Sequence, residues 1–346
     1  MGAPAKVLHA LALVAKEEAS YGAAIALTPS ADGIEMRFDQ DDIAAIVNLG
    51  YLNDGDIGPS ITSLGQLARV VPTGLYAEGT IPALLRLPGI AYSASVMPNL
   101  HRLLKAAGFD ATGSFVASSE KWTYAPTTYG TAYTSLTANV YERGEMAAIT
   151  GMLCDLEIDG KSGKPPVFTF PFKGIGALPS DASPVIPAGL AYLNTTVAPL
   201  VNQAITLTFG SFTTNAVPKS WNFKLNRSFD NSRANLQGSN IYAGVVPTMR
   251  RPTLKLVLEA TALVGSPYHT SAGFDPYQLK DKATAIGSVI IQLGSTQYNR
   301  MKIQLTQSQV VNWTRQGEGP TATVELEIAG YNSTPLLNDD CQVLCD

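Results

Sequence analysis

The sequence predicts a mainly β chain of two tandem units, each with a short α-helix beside its strands. Three observations carry that expectation. Apolar and polar residues alternate along many segments, as in Ser135–Glu145 and Thr253–Glu259, which is the period of half-buried strands. Short turns rich in Gly, Pro, Asn and Asp separate those segments, as reversals of the chain require. The periodic pattern breaks between Gly174 and Gly189, where Pro179, Pro184 and Pro187 fall among small residues, the composition of a boundary loop. That break divides the 346 residues into units of 1–178 and 179–346.

The elements follow in order. Val7–Val14 is apolar but too short to span a bilayer. Lys16-Glu17-Glu18 follows where a signal peptide would need small residues, so the run reads as a buried strand. Lys6 stands where a myristoylation signal needs Ser or Thr. Tyr51–Pro59 is turn-rich and reads as a hairpin tip or long loop; Val70–Ala77 reads as a strand. Leu100, Leu103, Leu104 and Ala107 recur at helical spacing between Pro98-Asn99 and Gly108, a helix whose apolar face covers a sheet. Leu136, Ala138 and Val140 alternate, a turn follows at Glu142–Glu145, and Met146–Ile158 is long enough for one full strand. Asp159–Lys164 reads as the turn into a strand carrying Phe168, Phe170 and Phe172 on one face.

The second half repeats this order loosely. Ile205–Phe209, Trp221–Leu225 and Thr253–Glu259 alternate as strands. Asp275–Lys280 reads as a short capped helix, with Asp275 before Pro276. Val289–Leu293, Met301–Leu305 and Val324–Ile328 are further strands. Each half therefore runs helix, strand, hairpin, strand and closes on glycine, Gly174 and Gly330. The two share order rather than residue identity, so duplication is inferred from pattern.

Composition argues against several function classes. The formal net charge is −4, and Lys and Arg are scattered, with Arg250-Arg251 the nearest approach to a cluster; general attraction to phosphate needs clustered cations. Cys154, Cys341 and Cys345 make neither a disulfide framework nor a zinc site. The last two read as reduced thiols on a solvated tail. His9, His101 and His269 have no metal-ligand spacing. Gly160-Lys161-Ser162 lacks the upstream glycine of a phosphate loop and reads as a hairpin turn. Asp39, Asp41, Asp42, Asp54 and Asp56 do not fit a calcium-binding loop. Trp122, Tyr124 and Trp313 lie in strand-like segments as core or interface residues. The expectation is a protein without catalysis, cofactor or metal.

Several motifs stand in a telling order. They are Lys16–Gly22 near Pro29–Asp32, Leu103–Phe109, Trp122–Pro126, Pro166–Gly174, Asn240–Gly244, Met249–Thr253 and Phe274–Tyr277. In that order they resemble the tail tube proteins of siphophages and Mu-like phages, and the likeness covers most of the chain. The resemblance implies a β-sandwich or partial barrel with a flanking helix. It implies rings whose inner strands join into one barrel, stacked into a hollow tube that conducts DNA without specific binding. Three two-unit chains would make a pseudo-hexameric ring, and a true hexamer is the alternative. The implied partners are further copies, the tape measure protein and the tail terminator and tip proteins, with no membrane. The implied location is the virion tail, assembled in the host cytoplasm. Asp155, Glu157, Gln304 and Gln307 are the candidate lumen residues. Tyr51, Asn53, Asp54 and Asp56 are the candidate inter-ring loop. The alternative function is a β-sandwich adhesin or carbohydrate-binding module.

Overall fold

The computed structural model describes residues 11–37, 47–54, 71–128, 132–142, 144–182, 186–201, 205–210, 218–230, 244–259, 286–318, 321–334 and 337–346. The first half contributes β1 (Leu11–Glu17), α1 (Pro29–Asp32), β2 (Gly33–Ile34), β3 (Val47–Asp54), β4 (Val71–Leu84), α2 (His101–Ala106), β5 (Phe109–Ser114), β6 (Lys121–Pro126), β7 (Leu136–Glu142), β8 (Glu145–Cys154), β9 (Glu157–Lys161) and β10 (Val167–Gly176). The second contributes β11 (Ser180–Asp181), β12 (Thr206–Phe209), β13 (Pro218–Lys224), β14 (Ser228–Asp230), β15 (Val246–Met249), β16 (Thr253–Glu259), β17 (Gly287–Leu293), β18 (Met301–Glu318), β19 (Thr321–Tyr331) and β20 (Cys341–Cys345). The chain is mainly β, its named strand pairs are antiparallel, and among the described residues the sheet does not close into a barrel. Among the described residues no helix is long and apolar enough to cross a membrane.

Strand order shows how the halves meet. One branch runs β2-β1-β7-β8-β10-β4-β3. A second runs β10-β9-β13-β16-β19-β18. A third runs β12-β17-β18-β20-β6-β5 and so returns to first-half strands. Backbone ladders therefore cross between the halves at β9–β13 and β20–β6, and more briefly at β11–β8. One buried apolar cluster, reaching from Leu13 to Cys345, belongs to both.

The junction follows from Asp155 and Leu156, between β8 and β9, and from Pro171 in β10. β8 and β9 pair with the same strand, β10, but are separated by Asp155 and Leu156. Across that gap stands Pro171, which has no N–H to give a ladder. Its carbonyl accepts the Asp155 N–H at 2.7 Å. At this break the outer neighbour changes from β7 to β13. Earlier in β8, Gly151 takes φ +60, and the register on both neighbours shifts around it. Its N–H is accepted at 2.8 Å by Glu18, whose carboxylate also binds Gly22 N–H and the Ser135 and Thr137 hydroxyls. A bulge donor freed from the ladder is thus satisfied by a side chain.

Phe168, Phe170 and Phe172 are all buried on the core face of β10, as alternation predicts. α2 forms where the Leu100–Ala107 spacing places it and buries Leu103 and Leu104. Other expectations are corrected. The expected Val7–Val14 strand holds for 11–14, the part within the described residues, but it runs on through Lys16 and Glu17. Met146–Ile158 is two strands, because Asp155 and Leu156 leave the ladder. Gly174 and Gly330 do not close units; they lie inside β10 and β19. The 174–189 break is no free linker, since Ser180-Asp181 pairs with β8. Beyond it, Tyr192 bridges Gly33, and Asn194 Nδ2 donates to the Met97 carbonyl at 3.0 Å. Cys341 and Cys345 are buried on one face of β20 rather than on a solvated tail. The expected Asp275–Lys280 helix lies outside the described residues.

Candidate assembly surface

Strands β9, β13, β16, β19 and β18 present a polar face opposite the core. Leu254, Leu256 and Leu258 point inward from β16, leaving Thr253, Lys255, Val257 and Glu259 outward. In register, Glu157 lies beside Lys224, Thr253, Ala329 and Gln309. Side chains opposite one another across strands share a face. Charges on this face are matched locally. Lys224 Nζ meets Glu157 at 2.6 Å, Lys219 meets Glu259 at 3.6 Å and Lys255 meets Glu325 at 3.8 Å. Three of its lysines are thus each paired with a glutamate on a neighbouring strand.

The four predicted lumen residues are spread across this scaffold. Glu157 is outward, bound to Lys224 and to Asn222 Nδ2 at 3.0 Å. Asp155 is half-buried at the strand break, accepting the Leu156 and Arg227 N–H groups at 2.8 and 3.0 Å. Burial raises its pKa, and those two hydrogen bonds oppose the rise. Gln304 bridges strands, donating to Ser288 Oγ at 2.9 Å and accepting from Gln342 at 2.7 Å. Gln307 stands opposite Tyr331. Glu157 and Gln309 are four strand spacings apart, about 19 Å, so the set is not one cluster. Of the predicted inter-ring loop, Tyr51, Asn53 and Asp54 are corrected to strand: they pair in β3 with Leu75, Pro72 and Val71. Asp56 lies outside the described residues.

Sequence reasoning missed Arg227. Its guanidinium is buried where β8 gives way to β9, donating to the Ala106 carbonyl at the end of α2 and to the Cys154 carbonyl, at 3.0 and 3.2 Å. The Tyr133 ring lies 4.5 Å away and Phe229 5.4 Å. Burial pulls its pKa down to about 10. A lone arginine beside a strand end has no sequence signature; only the break in β8/β9 could have flagged a need for donors there. His101 is also buried, with Nδ1 2.9 Å from the Tyr124 hydroxyl and the ring edge-on to Trp122 at 4.9 Å. Burial lowers its pKa to about 4. Cys154 is fully enclosed, its thiol pushed up to about 12 by burial. Among the described residues no group of three His, Cys, Asp or Glu side chains is arranged to hold a metal ion.

Strand edges complete the surface. Among the described residues β3, β5 and β12 each pair on one side only, with β4, β6 and β17. An edge of eight residues such as β3 offers about 27 Å of backbone donors and acceptors. Compared with known proteins, the chain matches no family model, and no curated protein is similar enough in sequence to serve as a relative.

Proposed function

We propose that this chain is a structural subunit of the tail tube type, which closes into rings by strand pairing between copies and stacks those rings into a hollow DNA conduit. The observation that carries the reading is the open antiparallel sheet, with β3, β5 and β12 paired on one side only among the described residues. Such edges invite further strands, and a ring of copies supplies them. The charge-matched face of β9, β13, β16, β19 and β18 supports the same reading. A duct wall must avoid the counterion-release affinity that would hold DNA in place. On this reading Glu157 and Gln307 sit on the wall, while Asp155 serves the junction behind it. The partners are other copies, the tape measure protein and the proteins that end the tail, and the location is the virion. Three copies per ring is expected if each half supplies one unit. Negative-stain microscopy and light scattering on the purified chain test the proposal. Rings and tubes are expected, and a protein that stays monomeric at high concentration overturns it.

A further inference from the structure

We infer that copies of this chain join end to end through two unlike patches at opposite ends of strands β5, β6 and β20. The inference rests on the tube reading and names the surfaces that would stack. Register places the first patch. Trp122 stands opposite Cys345 and Gly113, so the β5–β6 connection lies at the Cys345 end. Phe115 and Val116 in that connection are 43% and 65% exposed. The loop is held by its neighbours rather than free. Ser119 N–H donates to the Val116 carbonyl, Gln297 Nε2 to the Ser118 carbonyl at 2.8 Å, and the Tyr298 hydroxyl to Glu120 at 2.7 Å. The Phe115 ring rests edge-on against Trp122 at 5.5 Å. Apolar side chains on an already ordered loop lose little further freedom when covered. Glu120 adds one carboxylate beside them.

The second patch lies at the other end of the same strands, about 20 Å away for the six residues of β5. There Gly108, Thr127 and Asp340 line a hollow of about 180 Å³ together with Arg227 and Arg250. Met249 also lines it and is 65% exposed. Leu337 is exposed next to Asn338, another lining residue. Arg250 is held in two bonds of 2.9 Å by Asp340, Arg251 is exposed beside it, and Arg227 Nη2 has no acceptor. One end thus offers apolar side chains with a carboxylate, and the other apolar side chains with the exposed Arg251 beside the Asp340-paired Arg250. A two-fold contact would set like patch against like. A head-to-tail contact sets Val116 against Met249 and Glu120 toward Arg250 and Arg251, and it does not close, so it propagates.

The test uses the full-length chain. Val116→Asp and Met249→Asp each remove one patch, and both positions are exposed, so the unfolding midpoint should match the parent. Each variant alone is expected to form rings without tubes. Mixing the two should give paired rings, because each mixture keeps one loop end and one arginine end intact. Independently, Val116→Cys and Met249→Cys proteins mixed with a short bis-maleimide should crosslink 116 to 249. The native thiols are buried, and neither variant alone should crosslink. Tubes of parent length from both Asp variants, or crosslinks from Val116→Cys alone, overturn the inference and leave the tube reading standing. A 116-to-249 crosslink in a protein that never forms rings supports the end-to-end contact and discards the tube.

Discussion

His101 illustrates how a single buried group sets a pH limit. It packs against Trp122 and Tyr124, with Glu17, Lys105 and Arg102 the charged groups acting on it. Burial is the largest influence and holds the native imidazole neutral down to about pH 4. In the unfolded chain the same group protonates near pH 6.5. Between those values the unfolded chain binds a proton that the native one refuses, so stability falls as pH drops through this window. Below about 4 both states are protonated and this loss stops growing. At up to 1.4 kcal/mol per pH unit, the full effect is about 3 kcal/mol. Urea midpoints measured from pH 7 to 5 should fall in the parent and fall less in His101→Gln. Equal slopes for the two proteins would show that His101 is not buried as described. Arg227 works at the same scale in another way. By capping the last carbonyls of α2 and the end of β8 together, it ties helix, sheet and strand break at one point, and each carbonyl left bare without it would cost about 1–3 kcal/mol.

Among the elements, β9 matters most because it carries the pairing from the first half into the second. Trp221 of β13 lies directly opposite Gly160 of β9 and covers it. A Cβ built on Gly160 would fall far inside van der Waals contact of the Trp221 Nε1 and Cε2 atoms. Trp221 is itself almost fully buried, so it has no free volume to retreat into. Gly160→Ala is therefore expected to destabilise the protein by about 1–3 kcal/mol, the usual cost of overpacking, and to shift tryptophan emission toward the exposed form. A variant as stable as the parent would mean that β9 and β13 do not meet in this register. These elements also show what alternation can and cannot reveal. The core face of β10 and the leucine face of β16 were legible because burial follows period two. β20 carried the same signal in Cys341, Val343 and Cys345, but cysteines near a chain end read more readily as solvated thiols than as apolar core. β3 was hidden by the turn-forming residues of Tyr51–Asp54, whose strand pairing is set by β4 and not by their own propensity. The change of partner at Asp155 was invisible, since no local pattern encodes which strand lies alongside.

At the scale of the whole molecule, the sequence break near residue 178 suggests two units, yet the contacts argue for one cooperative body. The β9–β13 ladder has five residue pairs, and β20 of the second half is inserted between β18 and β6. Asp346 follows β20 and is bound by Arg300 and Lys302, which anchors the strand at the end where it meets β6. Cutting the chain at 178 would expose the outer edges of β6 and β9, together with core residues such as Ile158, Tyr124 and Trp221 that face the other half's strands. Each large apolar side chain so uncovered costs about 1.5–3 kcal/mol, and several together are comparable with the net stability of an ordinary domain, about 5–15 kcal/mol. Segments 1–178 and 179–346 produced separately are thus expected to lack the cooperative thermal transition of the full chain. Mixing them should restore part of it, because the missing edges are then supplied in trans. Calorimetry reads both outcomes. Two separate transitions in the full chain, or a well-folded half with its own sharp melt, would show that the halves are independent units merely joined in sequence. In that event the edges at β6 and β9 would be surfaces that the chain can leave exposed, and the stabilising role assigned here to the shared core would fall with them.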